Sequence, residues 1–143
     1  MATYIQITDG NKRDKHWWNR LILCSAVIGE TFEIHCWSDE RAETALALRF
    51  GEKVRSSWHG GTVIRGKITR EFLKFLTDME KPTDTEIYNK MTPFFSIFLG
   101  DVLYSEHYGT EVTITRCVTD NWQEIDGVLR SLERCASILR NTV

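Results

Sequence analysis

Along this chain the spacing of apolar side chains switches repeatedly between a strand-like and a helix-like period, and each switch marks an element. Thr3–Thr8 alternates, with Ile5 and Ile7 on one side and Tyr4 and Gln6 on the other, which predicts a short strand. Asp9-Gly10-Asn11 is turn chemistry. From Lys15 to Ile28, Trp17, Leu21, Cys24 and Ile28 recur at helical spacing; Asp14 is placed to cap this helix and Gly29 to end it. Thr31–Trp37 alternates again, Phe32, Ile34 and Cys36 against Glu33, His35 and Trp37. A helix is predicted over Asp39–Phe50, with Ser38 as its cap, acids in the first turn, Arg49 in the last and Gly51 just beyond. Glu52–Gly61 is expected as a loop, Thr62–Ile68 as a strand, and Thr69 as the cap of a helix through Asp78.

Asp78–Glu86, DMEKPTDTE, is a polar connection broken by Pro82, and Ile87–Met91 is expected as a short helical turn. Pro93–Leu99 is apolar on both sides, Phe94 and Phe98 on one and Phe95, Ile97 and Leu99 on the other, as in a central strand covered on two faces. Val102–Tyr108 and Thr110–Cys117 flank Gly109 as a hairpin whose tip gathers Ser105-Glu106-His107-Tyr108. A long C-terminal helix is predicted from Asp120, with Gln123 completing a capping box and Trp122, Ile125, Leu129, Leu132, Cys135 or Ala136, and Leu139 along one stripe. These elements predict an α+β fold: one domain spanning residues 1–143, a largely antiparallel sheet, and helices packed against it, the long C-terminal helix among them.

The 143 residues suffice for one core, and 42% hydrophobic against 27% charged residues is globular composition. The net charge of −2 lacks the basic footprint expected of a protein that grips nucleic acid, so no direct nucleic-acid partner is expected. No apolar run approaches the ~20 residues of a membrane span, and MATYIQITDG lacks the pattern of an export signal. A cytoplasmic protein without a membrane partner is expected, its thiols reduced.

Chemistry is sparse. Cys24, Cys36, Cys117 and Cys135 form no CxxC pair, and His16, His35, His59 and His107 include no HxxxH pair, so no metal or cofactor is expected. His35 and Cys36 are strand neighbours pointing to opposite faces and cannot act as a thiol–imidazole couple. Ser57-Trp58-His59-Gly60-Gly61 lacks the nucleophile-elbow pattern, and Trp58 there is either an interface anchor or a core plug. Glu106 and His107 could act as acid and base, contact a partner, or be solvated. Lys12, Arg13, Lys15 and Arg20 surround Trp17 and Trp18, a pattern that can bind single strands, although Trp17 fits the helix stripe.

The stretches FEIHCWSDERAETALALRFG and KMTPFFSIFLGDVLYSEHYGTE, with the compact α+β layout, resemble the immunity proteins of bacterial contact-dependent inhibition and polymorphic toxin systems. The resemblance implies a non-enzymatic inhibitor that binds a cognate toxin domain, often a nuclease, and blocks its active site or an essential neighbouring surface. It brings no catalytic residues. The expected contact face is Trp58, His59, Asp84, Glu86, Glu106, His107, Tyr108 and Glu111, aromatic anchors among acids. The alternative is a small hydrolase-like enzyme using His107 with Glu106 or His59, which requires a deep pocket. A third is a nucleic-acid-binding regulator acting through the basic N-terminal helix. Self-association through the C-terminal stripe is also open, since it resembles a heptad for about two and a half repeats against the three or four that identify a coiled coil.

Overall fold

The computed structural model describes residues 2–7, 14–83, 89–115, 122–132 and 136–141. Asp84, Glu86, and Ile87 and Tyr88 of the expected turn at Ile87–Met91 lie outside the described residues, as do Lys12, Arg13, Cys117, Asp120 and Cys135; the rest of that turn, residues 89–91, is not helical. In chain order the elements are β1 (Ala2–Ile7), α1 (His16–Ser25), β2 (Thr31–Trp37), α2 (Arg41–Ala47), β3 (Gly51–Val54) and β4 (Gly61–Lys67). They continue with α3 (Arg70–Asp78), β5 (Ser96–Leu99), β6 (Leu103–Glu106), β7 (Glu111–Ile114), α4 (Trp122–Leu132) and β8 (Ala136–Asn141). The strands form one sheet in the order β3-β4-β2-β5-β6-β7-β1-β8, and every pairing is antiparallel.

The α+β fold with an antiparallel sheet and packed helices is therefore present, and its inward face follows the alternation. Ile5, Phe32, Ile34, Cys36, Ile64, Ile97, Leu99, Leu103, Val112 and Ile114 join the buried residues of all four helices in one core. Phe32 stacks on Phe72 of α3 with ring centroids 4.0 Å apart. Trp18 of α1 is fully buried and its Nε1 donates to Ser105 Oγ at 3.0 Å, which satisfies both polar atoms beneath the sheet. Thr69 caps α3 by accepting from Phe72 N at 3.1 Å, as its position before the helix requires.

Several boundaries are corrected by pairing between distant segments. The helix expected to reach Ile28 stops at Ser25, although Asp14 does accept from His16 N at 3.0 Å. Gly29, with φ +94°, instead forms the turn into β2, and its N–H bonds Ile68 O across the sheet end. The helix expected over Asp39–Phe50 is cut to Arg41–Ala47, with Glu40 rather than Ser38 at its cap. Gly51 opens β3, which pairs with β4 where a loop was expected. There a Cβ on Gly51 would come within 2.6 Å of Arg65 O, so only glycine permits that approach. The Gly-Glu-Lys-Val strand is short and charged, as sheet edges commonly are, and so carries little alternation to read.

The central strand is Ser96–Leu99; Pro93–Phe95 lies outside it, which breaks the expected alternation. Phe94 turns into the core while Phe98 looks outward. The long C-terminal helix is also corrected: α4 ends at Leu132, and Ala136–Asn141 pairs with β1 over the whole strand, Ile138 opposite Ile5 and Leu139 opposite Tyr4. The stripe that reached Leu139 thus belongs to two elements. Its helical part, Ile125, Val128, Leu129 and Leu132, is buried in the core, and α4 packs on α1.

Candidate interaction surface on the open sheet face

Because the helices cover one side of the sheet, the alternate positions of every strand form a second side that they leave open. Across it lie Glu33, His35 and Trp37 of β2, Arg65 of β4, Phe98 of β5, Tyr104 and Glu106 of β6, Glu111 of β7, and Tyr4 of β1, aligned by the register. Most are half-buried or exposed. A row of rings crosses the strands: Trp58 stacks on His35 at 4.8 Å, His35 meets Phe98 edge-on at 5.0 Å, and Phe98 meets Tyr104 at 5.4 Å.

The loop between β3 and β4 brings Trp58 over this face. Gly60 makes that possible, since a Cβ there would lie 2.5 Å from ring atoms of both Trp37 and Trp58. Trp58 also lies 5.1 Å from Trp37 and 6.2 Å from Phe95, and Phe95 contacts His107 at 5.6 Å and Tyr108 at 5.3 Å. Phe95 thus joins the tryptophan loop to the hairpin tip, two places the sequence nominated separately.

Two electrostatic groups flank the ring row. Glu33 accepts from Arg65 Nη2 and pairs with His35 Nε2, both at 2.7 Å. Burial alone would raise its pKa, but these two partners outweigh burial and hold the carboxyl below its ordinary value. On the other flank Tyr4 donates its hydroxyl to Glu111, which also pairs with His107 Nδ1. Burial, then the charge of Glu106, raise the Tyr4 phenol. Glu106 and Glu111 stand directly opposite each other across the β6–β7 ladder. His107 and Tyr108 both have positive φ, 51° and 61°, a conformation that costs on the order of 1–2 kcal/mol for residues bearing a Cβ.

Of the expected contact residues, Trp58, Glu106, His107 and Glu111 come together around this face. His59 is exposed on the loop, and Asp84 and Glu86 lie outside the described residues. Tyr108 is only 8% exposed, and its hydroxyl donates to Glu40 Oε2 at 2.9 Å on the α2 side. The sequence reading did not nominate Tyr4, Glu33, His35, Arg65, Phe98 or Tyr104. The signal for Glu33 and His35 was present, since alternation already set them opposite the core.

The face has low relief. An open depression of about 470 Å³ lies between Glu33, Arg65, Phe98 and Tyr104, and another of about 250 Å³ beside Glu52, Val54 and Lys67. Among the described residues no three His, Cys, Asp or Glu side chains converge as a metal-ion set. No helix among them is long and apolar enough to cross a membrane. Cys36 is buried, and burial pushes its thiol up to about 11, which makes it a poor nucleophile. No protein-family model, no curated protein and no solved structure matches this chain.

Proposed function

We propose that this chain is an immunity-type inhibitor: it binds a cognate toxin domain stoichiometrically and covers the toxin's active site or an essential surface beside it. The observation that carries this reading is the open sheet face, a row of partly exposed rings beside an open depression. Aromatic side chains on rigid strands bind proteins at little entropic cost, and surrounding carboxylates select the partner's charge.

The test uses any toxin domain encoded immediately upstream of this chain's gene. Co-expression is expected to rescue growth, and the two purified proteins are expected to elute as one complex. A toxin domain that kills equally well with and without this chain, and does not co-elute, overturns the proposal.

One feature favours a second reading, a hydrolase-like enzyme: the imidazole of His107 pairs with Glu111 beside the Tyr4 hydroxyl. That reading predicts turnover of a small ester or phosphoester substrate that is lost in His107→Ala. Turnover of that kind would replace the inhibitor proposal.

A further inference from the structure

We propose that the open sheet face seats a basic protein surface, with Phe98 and Tyr104 receiving apolar and guanidinium-bearing side chains and Glu106 with Glu111 compensating the partner's positive charge. This rests on the binding role proposed above and adds the surface and the chemistry of what it binds.

The argument begins with charge. The outward positions carry Glu33, Glu52, Glu106 and Glu111 against Arg65 and Lys67. Glu33 is already held by Arg65 and His35. At the other end, Glu106 faces Glu111 across the ladder, and their outward neighbours Ser96, Phe98, Tyr104, Thr113, Tyr4 and Gln6 include no lysine or arginine. Like charges directly opposite on a sheet destabilise it. Glu111 has Tyr4 and His107 as partners, whereas Glu106 raises the Tyr4 phenol by its charge. A cation from outside would relieve the pair.

The rings beside those carboxylates define the rest. Phe98 and Tyr104 are partly exposed, in edge contact, and next in register to Ser96 and Glu106. An aromatic surface bordered by carboxylate is the receptor that an arginine fits best, by stacking and by paired hydrogen bonds. The low relief suits a protein surface rather than an enclosed small molecule. A nucleic acid could stack on the same rings, but its phosphates would meet Glu106 and Glu111, whose described in-register neighbours on this face include no lysine or arginine.

The experiment is an NMR titration of the full chain with two probes, a short arginine–glycine repeat peptide and a short oligothymidylate. The peptide is expected to shift the amides around Phe98, Tyr104, Glu106 and Glu111, and the oligonucleotide to leave them in place. Tyr104→Ala and Glu106→Gln are each expected to weaken peptide binding about tenfold or more, while Leu23→Ala, a 55% exposed residue on α1, leaves it unchanged. Glu106→Gln keeps the test open should Tyr104→Ala not fold. Peptide shifts confined to the acids around α2, binding of the oligonucleotide to the ring row, or variants of full affinity with native near-ultraviolet circular dichroism overturn the proposal.

The two proposals fail separately. A chain that binds the upstream-encoded domain with an affinity insensitive to Tyr104→Ala and Glu106→Gln keeps its function and loses this surface. A chain that takes the peptide on this face but ignores that domain keeps the surface and loses the toxin.

Discussion

The Tyr108 hydroxyl donates to Glu40 Oε2 at 2.9 Å, and the other oxygen of that carboxylate accepts from Trp37 N at 2.8 Å. One side chain at the start of α2 thereby ties the hairpin tip to the end of β2. The positive φ of Tyr108 is held by backbone bonds besides: its N–H bonds Phe95 O at 3.0 Å and its carbonyl accepts from Met91 N at 2.8 Å. Hydrogen bonds to a charged group contribute roughly 1.5–3 kcal/mol when well buried. Tyr108→Phe is therefore expected to lower unfolding stability by about 1–2 kcal/mol with an unchanged denaturant slope. A double-mutant cycle with Glu40→Gln checks it, and additive effects would show that the two side chains are not coupled.

Gly60 is required by contact rather than by a special dihedral. A methyl group there meets the Trp37 and Trp58 rings at 2.5 Å. Gly60→Ala is expected to push Trp58 away from His35, shift the tryptophan emission, and cost about 1–3 kcal/mol as an overpacked site. Gly61→Ala is expected to be worse, because its Cβ would meet the Cys36 carbonyl oxygen at 2.1 Å, and backbone yields less than a ring. Emission and melting temperature unchanged in Gly60→Ala would place the loop elsewhere.

Thiol labelling separates two cysteines. Cys36 is fully buried and its pKa is raised to about 11, first by burial and then by the charges of Glu40 and Glu43. Cys24 is half-buried on α1. At mildly alkaline pH iodoacetamide is expected to modify Cys24 first, with Cys36 protected until the chain unfolds, as read by peptide mass mapping. Equal labelling of the two in the native protein would contradict this packing.

Lys15 supplies a pH signature. Its ammonium donates to Leu76 O at 2.9 Å and Met79 O at 2.8 Å, at the C-terminal end of α3, and lies 5.0 Å from the Trp18 ring centroid. Burial lowers its pKa to about 8, against the opposing charge of Asp78. Between that value and the ordinary 10.5 the unfolded chain holds a proton that the folded chain has released. Stability contributed by this residue therefore rises with pH across that window. Denaturation midpoints measured from pH 8 upward are expected to show this rise in the wild type and lose it in Lys15→Met. That variant should also be less stable by about 1–3 kcal/mol, because two carbonyls lose their donor. A slope unchanged in the variant would assign it to another group.

What each segment does with its immediate neighbours was legible in the chain. Alternation in Thr31–Trp37 set Phe32, Ile34 and Cys36 inward, Thr69 capped its helix by its own oxygen, and Gly109 marked the hairpin. Each of these is decided within a few residues. The tertiary structure decided the elements whose partners are remote. Ala136–Asn141 continues a plausible helical stripe, yet it lies along β1 because six residue pairs there satisfy an otherwise open strand edge. Gly51–Val54 is a strand only because β4 is beside it. The ring row has the same origin: His35 and Trp58 come from parts of the chain distant from the adjoining strands that carry Phe98 and Tyr104, and strand order, which no local pattern encodes, sets them side by side.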